Sequence, residues 1–335
     1  MEQLEGHPIQ QINHQMRSKF LKQIQTKTVR GTQFTNATQN SPENSGLILV
    51  AGATGDLGGA VTRALLAQGR QIRVLVRPKS NYQPLVQLGA QPVFGDLKER
   101  ASLDPACKGV ETLITTANSA KRGGDDNPIT VDLEGNRKLI DAAVEAGVKH
   151  FIFVSVLMAD PTSPVPFVMA KGKTEEYLRS SGLTYTIIAP NGFMEVWIAM
   201  LVGMPAVSGQ PVTIIGQGLR KHSFVSDADV AKFMIASINN PEAKNQRLAI
   251  GGPEALSLRD AVMTFERALG NRSVQIVNIA SGQSIPGLPD FVVAMATGLE
   301  FFDSPIDMAE LSTKFGIKLT SMEEFARSFV KNMAR

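Results

Sequence analysis

The stretch from Gly46 to Leu66 constrains this chain more than any other. Leu47-Ile48-Leu49-Val50-Ala51 is a short continuous apolar run, the pattern of a parallel strand buried on both faces. It leads into Gly52-Ala53-Thr54-Gly55-Asp56-Leu57-Gly58-Gly59 and then Ala60-Val61-Thr62-Arg63-Ala64-Leu65-Leu66, whose apolar positions recur at helical spacing. Strand, glycine turn and helix in that order make a phosphate-binding turn. Gly52 permits a sharp reversal, Gly55 a close approach to a pyrophosphate, and Gly58 close packing of the helix on the strand, while the first helical N–H groups face the anion. Thr54, Asp56 and Leu57 lie within the same turn and join it as expected cofactor contacts.

The next strand, Ile72 to Val76, ends in Arg77-Pro78-Lys79. A site that holds the ribose 2′-hydroxyl of NAD usually places Asp or Glu here. A guanidinium that forks onto a 2′-phosphate, with Lys79 as an added point charge, points to NADP(H) instead. Three further apolar runs repeat the unit: Pro92-Val93-Phe94 before Gly95-Asp96-Leu97, Thr112-Leu113-Ile114-Thr115 before Thr116-Ala117-Asn118, and Phe151 to Ser155. Between the last two runs Leu133, Leu139, Ile140, Ala143 and Val144 keep helical spacing up to Gly147. Alternating strands and helices predict an α/β fold with a doubly wound parallel sheet of Rossmann type. Ligands in such sheets bind beyond the carboxyl ends of the strands, which places Asp96, Leu97, Thr116, Ala117 and Ser155 near the cofactor.

Residues 191–335 read as mainly a smaller, intermingled C-terminal substrate lobe, against a Rossmann core mainly over 46–190. The lobe carries a strand at Val212 to Ile215, a capped helix after Ser226-Asp227, a strand near Leu248 to Ile250 and a helix from Ser257 to Leu269. Residues 1–45 differ in texture. They are rich in Gln, Asn and Thr and carry no acid between Glu5 and Glu43, which predicts a disordered polar arm. The arm lacks the apolar centre of a secretory signal, and Glu2 and Glu5 count against a mitochondrial-type transit peptide.

A net charge of +3 with both signs interspersed gives no basic patch for nucleic acid or an anionic membrane. The longest apolar run, Val196 to Val207, is about half of what a bilayer needs. Cys107 is the only cysteine, which excludes a disulfide framework and Cys-ligated metal centres and suits a reducing compartment such as cytoplasm. His7, His14, His150 and His222 show no ligand spacing, so no metal is expected.

Gly52-Ala53-Thr54-Gly55, Val76-Arg77, Gly95-Asp96-Leu97, Asp141-Ala142-Ala143 with Ala146-Gly147-Val148-Lys149, and Ile188 to Phe193 form one pattern. Combined with Ser226-Asp227-Ala228-Asp229-Val230-Ala231, this pattern resembles the NmrA-like branch of atypical short-chain dehydrogenases/reductases over roughly residues 46–280. The resemblance implies a Rossmann fold and either of two roles. One is reduction by an isoflavone-reductase-like or NADPH:quinone-reductase-like enzyme. The other is redox sensing by a dinucleotide-binding regulator without turnover, acting on a protein partner.

Members with acid/base chemistry carry Tyr four residues before Lys, on one helix face. At the matching place this chain reads Phe167-Val168-Met169-Ala170-Lys171, so the Lys is present and the Tyr is Phe. No such pair follows Tyr82, Tyr177 or Tyr185 either, because Val86, Ser181 and Ala189 stand four residues on. Lys171 is then expected to hold the nicotinamide ribose or donate a proton, its plainer reading being an exposed helix lysine paired with Glu175. Ser155 has the place of the family's serine, which would bond a carbonyl substrate. Pro190-Asn191-Gly192-Phe193 looks like the family loop that packs on the nicotinamide, with Met194 and Trp197 beyond it and Phe167 opposite as a candidate apolar pocket. The function expected on these grounds is NADPH-dependent reduction of a small apolar quinone-like or enone-like electrophile, with a non-catalytic NADP(H) sensor as the alternative.

Overall fold

A computed structural model describes residues 46–120 and 122–285, Leu288, Val293 and residues 296–333. The arm expected over 1–45 lies outside these described residues.

Seven strands form one parallel sheet in the order β3-β2-β1-β4-β5-β6-β8: β1 Leu47–Ala51, β2 Ile72–Val76, β3 Gln91–Phe94, β4 Val110–Thr115, β5 His150–Val154, β6 Tyr185–Pro190 and β8 Gln246–Ile250. The doubly wound sheet expected from the alternating pattern is present. Side chains of β1 alternate between two cores. Ile48 and Val50 join Val74, Ile114, Ile152 and Ile188 on one face, while Leu49 and Ala51 join Leu75, Leu113, Phe151 and Phe153 on the other. Fully buried Ile, Leu and Val side chains contribute roughly 1.5–3 kcal/mol each, in keeping with a strand made of apolar residues throughout.

The helix α1 (Asp56–Ala67) covers the first face. The helices α3 (Arg100–Cys107), α4 (Glu134–Glu145) and α5 (Pro166–Ser180) contribute to the second, and α2 is a short turn at Gln83–Gln87. A π-helical turn, Pro128–Leu133, feeds α4, and Asn127 caps it by accepting from Ile129 and Thr130 N–H.

Beyond β6 the chain builds a third core. A π-helical segment, Met194–Gly203, continues into α6 (Met204–Val207) and packs on Val212, Ile214, Phe224, Phe265 and Phe329. The strand β7 (Val212–Ile215) pairs in parallel with β9 (Ile276–Ile279), and α8 (Leu258–Ala268) and α10 (Met322–Met333) close the lobe. The chain returns to the main sheet in between, since α7 (Asp227–Ala236) packs in the first core and β8 extends the sheet beside β6; α9 (Ala309–Phe315) also lies against that core.

Register aligns the strand ends into one row. Ala51 is level with Leu75 and Thr115, Val76 with Phe94, Thr115 with Phe153, Val154 with Ile188, and Pro190 with Ile250. Gly52, Arg77, Gly95, Thr116, Ser155 and Asn191 therefore emerge along a single edge. Its middle is the switch point, where chain order reverses on either side of β1 and β4.

Candidate functional site

The glycine turn after β1 folds as its glycines require. Gly52 has φ +86°, and a Cβ there would press on Thr116 Oγ1 at 2.6 Å and Ala117 N at 2.8 Å. Gly58 lies so close to Gly52 that any side chain would strike the Gly52 carbonyl, which fixes α1 against β1. Gly55 N–H donates to Gly52 O at 3.0 Å, and Gly55 itself is the exposed N-cap of α1 with no side-chain cap. The opening of α1 therefore presents backbone donors that no capping side chain satisfies, with Thr54, Asp56 and Leu57 half-buried around them. Thr116 Oγ1 turns back toward Ala51 O and Gly52 O, and Leu97 and Ala117 are buried, so these three contribute backbone and packing to the edge.

At the end of β2, Arg77 is half-exposed and Lys79 exposed. Arg77 reaches Asp126 at 2.7 Å and stands 3.9 Å from Asp96. Asp96 Oδ1 accepts from Lys98 N–H at 2.9 Å, closing the turn after β3.

The other end of the row is built from buried charges. Lys171 is 3% exposed, its Nζ donating to Val154 O at 3.1 Å and lying 3.2 Å from Asp132 Oδ1. The Phe153 and Phe167 rings flank the ammonium at 5.0 and 5.5 Å. Asp132, fully buried, comes from the π-helical turn before α4, and its Oδ2 accepts from both N–H and Oγ of Ser119, at 3.0 and 2.6 Å. The plainer pairing of Lys171 with Glu175 is not formed. Glu175 instead accepts from Ser155 Oγ at 2.5 Å, Arg247 Nε at 2.9 Å and Arg179 Nη2 at 2.7 Å. Arg247 also donates to Val156 O and Leu157 O, which ties the turn after β5 to α5 and β8. Ser155, expected to bond a carbonyl substrate, thus gives its proton to a carboxylate and fastens this turn.

The loop after β6 holds itself by side-chain bonds. Asn191 Oδ1 accepts from Gly192 N–H at 2.8 Å and its Nδ2 donates to Ser304 O and Oγ at 2.8 and 3.0 Å. His222 Nε2 lies 2.9 Å from the Leu299 carbonyl, so that nitrogen carries the proton, and Nδ1 is left to accept from Ser304 Oγ at 2.7 Å. Pro190 is buried, and half-buried Phe193 bridges to Val225. Met194, expected to line a pocket, is instead 1% exposed in the core of the lobe, because its N–H bonds Val225 O and alternation turns its side chain inward beside Phe224. Trp197 remains half-buried, with Cδ1 2.9 Å from where a Gly192 Cβ would stand. It packs directly on the loop. Phe167 lies half-buried beside Lys171.

Glu175 was singled out only for Lys171, not for Ser155 and Arg247, and Asp132, Arg247, Asp126 and Lys98 are partners that the sequence patterns did not single out. Glu195 is another: burial and the nearby Asp227 carboxylate push its carboxyl well above the usual range, and Oε2 accepts from Asp227 N–H at 3.0 Å. Tyr177 lies away from this edge, donating to Asp141 at 2.6 Å beneath Arg137 on the helical layer. Among the described residues no group of three or more His, Cys, Asp or Glu is placed to hold a metal, and no helix is long and apolar enough to cross a membrane.

A model of the NmrA-like family matches residues 44–326. A photosystem II assembly factor, Ycf39 of Cyanophora paradoxa, is 36% identical over 70% of this chain and 72% of its own length. An NAD(P)H azoreductase of Xenophilus azovorans is 30% identical over 71% of this chain and 79% of its own. The NADPH-dependent quinone oxidoreductase QOR2 of Escherichia coli, solved with NADPH, superimposes with a TM-score of 0.71 at 26% identity, covering 84% of this chain and 99% of that one.

Proposed function

The chain belongs to the NmrA-like family, and from that premise we propose that it is an NADP(H)-dependent reductase of a small, flat, apolar electrophile of the quinone, enone or azo class. The observation that carries this reading is the intact cradle at the switch point. Gly52 and Gly58 leave no room for a Cβ, the α1 N-terminus has no side-chain cap, and a guanidinium stands at the end of β2. These residues fit a dinucleotide, with Gly52, Gly55 and Gly58 holding its pyrophosphate and Arg77 its 2′-phosphate. The likeness to an azoreductase and a quinone oxidoreductase supports the same class.

When bound, NADPH supplies the hydride. The chain's own task is placement and electrostatics. Lys171, pinned by Asp132 and Val154 O, fixes a positive charge and an N–H donor at the end of β5, suited to a ribose hydroxyl. Phe167 gives that position an apolar ring and no phenolic proton, and the Ser155 proton is held by Glu175. The side chains beside Lys171 therefore offer no relay of the Tyr–Lys kind. That restricts the acceptor to molecules whose reduced form takes its proton from water or a weak acid.

The similarity to photosystem II assembly factors favours a second reading, in which dinucleotide binding sets the affinity for a protein partner without turnover. Following NADPH oxidation with a quinone, an enone and an azo dye separates the two. Turnover with any of them is the expected result. Calorimetrically measured NADPH binding with no oxidation above background for every acceptor would leave the second reading standing.

A further inference from the structure

The cations at the end of β2 surround an acid. Asp126 accepts from Arg77 Nη1 at 2.7 Å and Lys98 Nζ at 2.7 Å, and Arg122 Nη1 donates to it at 3.3 Å. Three cations thus converge on one carboxylate whose side chain is 10% exposed. Partial burial works against its charge, yet hydrogen bonds from Lys98 and Arg77 pull the carboxyl down to about 2, so it is ionised at neutral pH.

Arg77 has further N–H donors to spare, so the competition at this cluster is one of charge: the Asp126 carboxylate already neutralises cations that a phosphate would otherwise meet. A phosphate monoester brings a charge of about −1.5 to −2 at neutral pH and three acceptor oxygens, a better match to three cations than one carboxylate. A ribose 2′-hydroxyl, uncharged and able to donate to a carboxylate, has no means of displacing Asp126 and no need to.

We propose that Asp126 is an internal stand-in for the cofactor's 2′-phosphate, displaced from Arg77, Lys98 and Arg122 when NADP(H) binds, so that Lys98, Arg122 and Asp126 set the cofactor preference. This rests on the NADP(H) reading above and adds its mechanism of selection. The anchors on either side of Asp126 stay in place. Ser119 remains bound to Asp132, the partner of Lys171, and Asn127 remains the cap of the π-helical turn.

Calorimetry on the full chain tests it with NADP⁺, NAD⁺, adenosine 2′,5′-bisphosphate and 5′-AMP, with thermal melts to confirm folding. Asp126→Asn should tighten NADP⁺ and the bisphosphate at least fivefold and leave NAD⁺ and 5′-AMP within twofold, with Asp126→Ala as the second variant. Lys98→Met and Arg122→Met should each weaken NADP⁺ about tenfold and leave NAD⁺ within twofold. Weaker or unchanged NADP⁺ binding in both Asp126 variants would overturn the proposal, because the acid would then only brace the cations. A wild-type chain that prefers NADP⁺ alongside that result sinks this inference alone. A wild-type chain that binds NAD⁺ at least as well as NADP⁺, or neither, sinks the NADP(H) reading and this inference with it.

Discussion

The two ends of the strand-end row solve the same problem with opposite materials. The end at β1 and β2 uses backbone donors and charges that solvent reaches, with Arg77 40% exposed and Lys98 33% exposed. The end at β5 uses charges sealed from water, with Lys171 3% and Asp132 0% exposed and Glu175 satisfied on three sides. An exposed charge can be exchanged for a ligand's charge at little cost, whereas a buried one is held by its partner and fails when the partner goes. The first end is suited to capture and selection, the second to keeping one geometry.

Breaking the buried pair should give the largest effect. Asp132→Ala leaves the Lys171 ammonium buried with only Val154 O and should cost about 3–5 kcal/mol in urea denaturation, while Asp132→Leu combined with Lys171→Met should recover at least half of that. Lys98→Met at the other end, where solvent screens the charge, should cost far less stability. Equal losses at both ends would erase the contrast.

Acid separates the Asp126 cluster from a buried group on the opposite margin of the sheet. His150, at the start of the strand that ends beside Ser155, is buried with Nε2 2.9 Å from Thr186 Oγ1. Thr186 gives its own proton to Ala243 O, so Nε2 carries the ring proton and Nδ1 has no partner. Burial, with the Lys244 charge, pushes this imidazole down to about 4. The unfolded chain takes the proton near 6.5 and the folded chain does not, so stability falls as pH drops from about 6.5 to 4, by about 3 kcal/mol. His150→Gln should flatten the denaturation-versus-pH curve across that window relative to wild type. The Asp126 cluster, whose carboxyl is lowered, should hold through the same window and be lost only as pH falls from about 3.8 to 2. An unchanged slope in the variant would remove His150 as the acid-sensitive group.

The same division explains what the sequence disclosed. The glycine turn after β1 was legible because its glycines answer to backbone geometry within a few residues, and Gly52 and Gly58 each meet the contact that excludes a side chain. Lys171 was singled out by its place after β5, and the fold was legible through strands that bury both faces. Asp132 and Arg247 carry no local mark, since what brings them to Lys171 and Glu175 is the approach of elements far apart in the chain. The π-helical turns at Pro128–Leu133 and Met194–Gly203 were equally invisible, because one extra residue per turn leaves a short apolar pattern looking helical. Met194 was expected in a pocket and lies in the lobe core, as composition does not tell a core methionine from a pocket one.

Arg77 tests the solvent-reached end at smaller scale. Arg77→Ala should weaken NADPH binding by about 1.5–3 kcal/mol, the range for hydrogen bonds to charged groups, and leave NADH nearly unchanged by calorimetry. Asp126→Asn should partly offset that loss by freeing Lys98, since both cations share the one acid. Equal losses for both dinucleotides would mean that Arg77 braces the turn without reading the phosphate.

The smallest signal probes whether the two ends hold one ligand. Trp197 is the only tryptophan, and its indole packs on Gly192 in the loop after β6. If the reduced ring lies at that loop, Trp197 emission should fall when NADPH is added, because its absorption overlaps indole emission, and should change little with NADP⁺, which lacks that band. In Arg77→Ala the full drop should persist while the NADPH concentration at its midpoint rises, since the mutation weakens capture at one end and leaves the ring's seat at the other. A drop of the same size with NADP⁺ would mean that Trp197 reports a movement of the loop. Unchanged emission at saturating NADPH would place the ring away from Met194–Gly203 and separate this segment from the site.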